Sequence, residues 1–335
     1  MRDHLYKKHR YPTQARGLFT MCQDGRYTVK VRGYDKFFNI NETEVTQWHV
    51  LERKVQGPFE ITAKENGCII FITAPTPDTL LATSKHTIPD PIDNASSHGG
   101  MGYRWLLDHL ASTMTDPSSL ASWVHHYRLT LVAELCDDGF EEHVVPYPTS
   151  GLYLHGINYN TTTLRTLPIS VVHAVARRFG FLTVDAQSLS TLADVRLLAD
   201  RVQTDPKWNG GKESEGMVVR CQLDKQDFFF KVKNDTYLVY REYRELTKQL
   251  LKVTPEIGVV VPLKKPKVRY EKAWYYVAWL LLRVVDHPEW FAHYLENKGV
   301  VKVRQAFEQD WEAGNVALLD VDHVDRWVER DSKGW

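Results

Sequence analysis

The spacing of hydrophobic positions changes character near Asp235. Ahead of that point, short β-branched and aromatic runs are separated by turn residues, a pattern that predicts strands. Tyr27–Arg32 alternates between apolar and polar positions. Ile69–Thr73 is a continuous apolar run after Gly67, which predicts a buried strand. Arg128–Leu135, Met217–Cys221 and Phe228–Lys233 read as further strands. Between these runs, Tyr103–Met114, Ile169–Phe179 and Leu192–Val202 place apolar residues every three or four positions, as helices do. From Asp235 onward strand patterns disappear and helical spacing continues to the end. The Pro- and Lys-rich stretch Val261–Lys267 reads as a connection between helices. The longest apolar run, Ala273–Val285, is too short to span a bilayer and reads as a buried helix. The expected architecture is α+β, with antiparallel sheets and flanking helices in residues 1–247, then an all-helical domain in residues 248–335.

Three segments add chemistry to this outline. In Ile61-Thr62-Ala63-Lys64-Glu65-Asn66-Gly67, a lysine stands just before a favoured turn pair that leads into the buried Ile69–Thr73 run. That placement holds the Lys64 amine at the edge of a sheet, facing a pocket. Glu213-Ser214-Glu215-Gly216 puts a carboxylate before a glycine and a strand. Phe230-Lys231-Val232-Lys233 puts two lysines at alternating strand positions, so both project from one face. Taken singly, each segment fits a solvated strand face or a simple turn. Taken in order, Lys-x-x-Gly, Glu-Gly and Lys-x-Lys resemble the recurring pattern of covalent nucleotidyltransferases, the polynucleotide ligases and mRNA capping enzymes. A free lysine has a pKa of about 10.4 and is a poor nucleophile while protonated. Lowering it to about 7 takes roughly 4 kcal/mol of differential interaction, for which Lys231, Lys233 and a metal ion are the candidates. Glu215 is the candidate metal carboxylate.

Charge and cysteine content narrow the partners. The formal net charge is zero, which argues against indiscriminate coating of polyanions. Lys225–Lys272 nevertheless holds twelve Lys/Arg against six Asp/Glu, consistent with a local phosphate-binding strip. Lys264, Lys265, Lys267 and Arg269 form a basic cluster expected to contact RNA. The four cysteines, Cys22, Cys68, Cys136 and Cys221, are far apart and read as buried free thiols, with no zinc or redox pair. The polar N-terminus lacks a signal-peptide core. An intracellular protein of the cytoplasm or nucleus is expected, without a membrane partner and monomeric.

Longer strings carry a more specific resemblance. Ala15-Arg16-Gly17-Leu18-Phe19, Arg32-Gly33-Tyr34-Asp35-Lys36-Phe37-Phe38-Asn39 and Lys64-Glu65-Asn66-Gly67-Cys68-Ile69-Ile70-Phe71-Ile72 resemble the sealing domain of fungal tRNA ligases. So do Ser84-Lys85-His86, Ala133-Glu134-Leu135-Cys136-Asp137-Asp138, Glu141-Glu142-His143, Gly151-Leu152-Tyr153-Leu154-His155-Gly156 and Tyr240-Arg241-Glu242-Tyr243-Arg244-Glu245. The Arg-Gly-Leu-Phe and Lys-Phe-Phe-Asn strings also resemble phage-type RNA ligases. The resemblance implies a nucleotidyltransferase, ATP-grasp-like ligase domain. It implies ATP and Mg²⁺ or Mn²⁺ as cofactors, and tRNA exon halves and spliced mRNA exons as RNA partners. It matches Lys64 to the nucleophile, Lys231 and Lys233 to the phosphate-binding pair, Glu215 to the metal carboxylate and Glu134 to a ribose contact. Arg16, Lys36, Phe38, Thr62 and Lys85 match positions around the nucleotide. Arg241 and Arg244, three apart on a helical stretch, share one face, and arginine suits bidentate phosphate recognition. They are the candidates for reading a terminal 2′-phosphate. Asn66 departs from the aspartate usual in general ligases. The chain has neither a Gly-x4-Gly-Lys-Ser/Thr loop nor paired His-x-Thr motifs, so it is expected to seal ends and leave kinase and cyclic phosphodiesterase activities to separate domains or proteins. An mRNA guanylyltransferase, or an inactive tRNA-binding scaffold, remains an alternative at this point.

Overall fold

The computed structural model describes Tyr6 and residues 13–89, 96–253 and 268–316. In chain order its elements are β1 (Leu18–Gln23), β2 (Arg26–Arg32), α1 (Trp48–Lys54), β3 (Val55–Lys64), β4 (Cys68–Thr76), β5 (Thr79–Ser84), α2 (His98–Ser112), α3 (Pro117–Tyr127), β6 (Leu129–Cys136) and β7 (Gly151–Tyr159). There follow α4 (Ile169–Phe179), β8 (Leu182–Thr183), β9 (Ala186–Leu189), α5 (Leu192–Thr204), β10 (Gly216–Leu223), β11 (Gln226–Lys233), α6 (Asp235–Val253), α7 (Glu271–Asp286) and α8 (Val300–Glu312).

The chain divides into two compact units: Met1–Asp137 with Tyr147–Asn234, and Asp138–Pro146 with Asp235–Trp335. A break after residue 247 would cut α6 in two; the units part at the start of that helix. The sequence spacing held no sign that residues 138–146 join the second unit. Their Val144 and Val145 are fully apolar-packed there, and the Glu142 carboxylate accepts the N–H groups of Gly299 and Val301 at the start of α8. A carboxylate satisfies these otherwise orphaned helix-terminal donors.

The first unit is built on sheets whose two faces do different work. One has the order β11-β10-β3-β9 and the other β5-β4-β6-β7-β8; β1 and β2 form a separate pair. In the four-stranded sheet, Phe59, Ile61 and Ala63 of β3 join Met217, Val219 and Cys221 of β10 and Phe230 and Val232 of β11 on one face. That face packs on Leu51 of α1 and on Val195, Ala199 and Val202 of α5. Strand residues alternate between faces, so Thr62, Lys64, Val218, Arg220, Phe229 and Lys231 are left for the other. The five-stranded sheet alternates likewise. Ile70 meets Gly102 of α2, while Phe71 turns inward to Val31, Tyr34, Val132 and Phe229.

β3 and β4 lie in different sheets, so Asn66-Gly67 is a crossover and not a hairpin turn. β3 is an interior strand, and Lys64 sits at its end rather than on a sheet edge. Cys136 and Cys221 are buried as expected. Cys68 is only half-buried, and Cys22 is exposed because β1 pairs with β2 alone.

The second unit packs α6, α7 and α8 around aromatic rings. Tyr243 stacks on Tyr276 with centroids 4.2 Å apart, and Phe307 meets both edge-on. The buried Tyr276 hydroxyl finds Thr247 Oγ1 at 2.6 Å. Of the basic cluster, Lys264, Lys265 and Lys267 lie outside the described residues. Arg269 is exposed, and its backbone N–H donates to Glu242. Among the described residues no helix is long and apolar enough to cross a membrane.

Candidate active site

The inner faces of the two large sheets enclose a cavity of about 440 Å³, within the range of small-ligand sites. Arg16, Thr62, Lys64, Lys85, Glu134, Glu215 and Lys231 all line it. Seven of the residues singled out in the sequence therefore converge, although they come from segments more than two hundred positions apart.

Strand register explains the central cluster. Gly216 is paired with Lys233 on one side and Lys64 on the other. This brings Glu215 between the two lysines. Its backbone N–H donates to the Lys64 carbonyl, and its carbonyl accepts from Asn234. Glycine is required here: φ is +142°, and a Cβ would stand 2.1 Å from the Val232 carbonyl oxygen. Glu215 is 5% exposed. Its Oε2 accepts from Lys64 Nζ at 2.8 Å, and its Oε1 faces Lys233 Nζ at 2.7 Å. Burial alone would raise this carboxyl, but the two ammonium groups hold it down at about 2.

Lys231 carries the depressed amine. Burial, then the charges of Lys64 and Lys233, push it down to about 7. It lies over the Phe37 ring at 5.3 Å and is tied by its backbone N–H to the Phe38 carbonyl. Lys64 itself is held by Glu215 at 2.8 Å. Lys85 is lowered by burial and then by Arg16. Glu65, next to the nucleophile candidate, is raised to about 7 by burial.

Glu134 accepts from the Gly67 N–H at 3.1 Å, and its other oxygen lies 3.6 Å from His155 Nε2. Burial works to raise its pKa, but the His155 ring and the Lys64 charge keep it below the ordinary value. Lys36 and Phe38 line an adjoining cavity that shares Asp35, Phe37 and Phe229 with the first. Lys36 Nζ sits 5.3 Å from the centre of the Phe38 ring. Lys233 does not line the main cavity but acts on it through Glu215. Arg241 and Arg244 belong to α6 of the second unit. Arg244 pairs with Glu245 at 3.0 Å, and the Glu242 carboxylate accepts the N–H groups of Arg269 and Tyr270.

Tyr34, Val218, Arg220, Phe229 and His155 also line the cavity and were not singled out from the sequence. Val218 and Arg220 had a usable signal, since they share the face of Gly216 by strand alternation. Tyr34 and His155 stood inside motif strings without a chemical pattern to mark them. The donor set fits a nucleotide with its cation: five amine or guanidinium groups line the walls, with one deeply buried carboxylate beside Lys64, and hard divalent cations favour such oxygen ligands.

The RNA ligase family matches residues 14–238. The chain is 37% identical to the tRNA ligase of Candida albicans, an alignment covering 93% of this chain and 40% of that protein. It is 36% identical to tRNA ligase 1 of Schizosaccharomyces pombe, covering 88% of this chain and 38% of that one. The chain thus spans about two fifths of the length of these relatives. Among solved structures, an archaeal ATP-dependent RNA ligase aligns with a TM-score of 0.48 at 13% identity, over 95% of this chain and 77% of that chain. The family match runs from before Arg16 to beyond Lys233, across all the lysines and carboxylates assembled around the cavity, and the chain belongs to the RNA ligase family.

Proposed function

We propose that this chain is an ATP-dependent RNA-sealing module that adenylylates its own Lys64, and that it joins RNA ends in tRNA splicing and non-conventional mRNA splicing. The observation that carries this reading is the Glu215 carboxylate shared between Lys64 and Lys233, with Lys64, Glu215 and Lys231 at the wall of a nucleotide-sized cavity.

In the first step the neutral Lys64 amine attacks the α-phosphorus of ATP. A P–N bond forms, the P–O bond to pyrophosphate breaks, and the amine proton passes to solvent. Lys231 and Lys233 neutralise the oxyanion charge on that phosphate, and Arg16, Lys36 and Lys85 hold the leaving pyrophosphate. Glu134 and Thr62 position the nucleoside. Glu215 is the residue that would hold a divalent cation, which supplies further charge neutralisation. AMP then passes to an RNA 5′-phosphate, breaking the P–N bond. Finally a 3′-hydroxyl attacks that phosphate and AMP leaves.

The 3′-hydroxyl acted on lies beside a 2′-phosphate, for which Arg241 and Arg244 are the proposed readers. With both replaced by Ala, joining of 2′-phosphate ends should fall far more than Lys64 adenylylation. Equal loss in the two assays would defeat that assignment. Healing kinase and cyclic phosphodiesterase activities are assigned to separate domains or proteins. Membership of the RNA ligase family disfavours the guanylyltransferase reading. The deciding assay supplies radiolabelled ATP or GTP, then RNA halves bearing a 5′-phosphate and a 3′-hydroxyl with 2′-phosphate. The proposal requires ATP-dependent label transfer and a joined product; labelling from GTP instead would overturn it.

A further inference from the structure

Three side chains from separate elements form a polar chain along the cavity wall: Tyr34, His155 of β7 and Glu134 of β6. The Tyr34 hydroxyl is 3.1 Å from His155 Nδ1, and His155 Nε2 is 3.6 Å from Glu134 Oε2. The Tyr34 and His155 rings are stacked, with centroids 5.7 Å apart. All three line the cavity.

The carboxylate of Glu134, 3.6 Å from Nε2, selects one tautomer of His155. Arg220 Nη2 donates to the Tyr34 hydroxyl oxygen at 3.1 Å and also to the His155 carbonyl. The single Tyr34 hydroxyl proton faces two acceptors on His155, Nδ1 at 3.1 Å and the backbone carbonyl at 3.0 Å, and the carbonyl already accepts from Arg220. A neutral imidazole that accepts at Nδ1 carries its proton on Nε2, the nitrogen that faces the Glu134 carboxylate. The opposite tautomer would set a lone pair against a carboxylate. Burial of His155 favours the neutral ring. The backbone is shaped around this contact: a Cβ on Gly156 would stand 1.7 Å from the Tyr34 hydroxyl oxygen. The other oxygen of Glu134 is already fixed by the Gly67 N–H. Glu134 is therefore gripped from two sides, by the turn that follows the nucleophile and by the Tyr34–His155 pair.

We propose that His155, oriented by Tyr34, is a positioning residue that fixes the Glu134 carboxylate to receive the ribose hydroxyls of the bound nucleotide. The inference rests on the ligase reading above. His155 acts through Glu134 and not on the reacting atoms. A phenyl ring at this position would fill the space yet give Glu134 no donor.

The test is sugar discrimination in single-turnover self-adenylylation by the full chain, with ATP, 2′-deoxy-ATP and 3′-deoxy-ATP. Wild type should prefer ATP over at least one deoxy analogue. His155→Phe should shrink that preference by about threefold, the scale of a weak polar contact for a separation of 3.6 Å, and His155→Gln, which keeps a donor, should recover part of it. Tyr34→Phe keeps the ring and should shrink the preference by a smaller factor; it carries the test if His155→Phe does not fold. A purely structural role would slow all three nucleotides in proportion, leaving the ratio unchanged, and that result overturns the proposal. Wild type that does not distinguish the sugars also overturns it. Wild type that forms no adenylate with any nucleotide overturns the ligase reading as well.

Discussion

Replacing Glu215 by Gln removes the counterion of two lysines while keeping the size of the side chain. Glu215 is 5% exposed and contacts Lys233 and Lys64 at 2.7 and 2.8 Å. Breaking a buried pair by deleting one partner costs about 3–5 kcal/mol. Lys64 is 20% exposed at its side chain, so solvent recovers part of its charge and the lower end, about 3 kcal/mol, applies. For a unit of this size each kcal/mol shifts Tm by about 2–4 °C, so a fall of roughly 6–12 °C is expected at neutral pH. The pH dependence fixes the cause. The Glu215 pKa lies at about 2 when folded against 4.5 ordinarily. A lowered carboxyl stabilises the fold fully above its ordinary value and loses that contribution as pH falls toward the folded one. Melting curves of wild type and Glu215→Gln should therefore differ most at neutral pH and converge as pH drops from 4.5 toward 2. A variant that melts with wild type at neutral pH, or a gap that persists unchanged in acid, would refute the reasoning.

Two further outcomes follow from the same cluster. Burial and the neighbouring lysines hold Lys231 at about 7, and bound phosphates favour its charged form. Above pH 7 nucleotide binding should take up as much as one proton, measured by calorimetry in buffers of different ionisation heat; uptake that survives Lys231→Met would contradict this assignment. Gly216→Ala forces a Cβ to 2.1 Å from the Val232 carbonyl at a φ of +142°. It should cost roughly 3 kcal/mol by denaturant unfolding, and wild-type stability would show that the strand pair gives way easily.

Much of the chemistry was legible because strands encode faces by alternation. Lys231 and Lys233 could be placed on one side of β11 from sequence alone, and helical spacing marked the change of character at Asp235. What local pattern does not contain is pairing across long separations. β3 meets β10 about 150 positions away, so neither the Lys64–Glu215–Lys233 ion cluster nor the crossover between sheets at Asn66-Gly67 follows from periodicity. β3 itself holds Gly57 and Pro58 within its span, which blurs its alternation. The start of α2 was also hidden. Tyr103 is the first residue with clear helical spacing, yet the helix begins at His98, capped by Ser97 Oγ. Its early turns carry Gly99, Gly100 and Gly102, and Gly102 packs directly on Ile70. The role of residues 138–146 in the second unit depends on Glu142 reaching the start of α8, another contact far apart in sequence.

The account turns on whether the Lys64 amine captures a nucleotide. Intact-protein and peptide mass spectrometry after incubation with ATP and magnesium should show one added adenylate, acid-labile and located on Lys64, and none on Lys64→Ala. Wild-type protein that remains unmodified, or an adenylate that persists in Lys64→Ala, would contradict it.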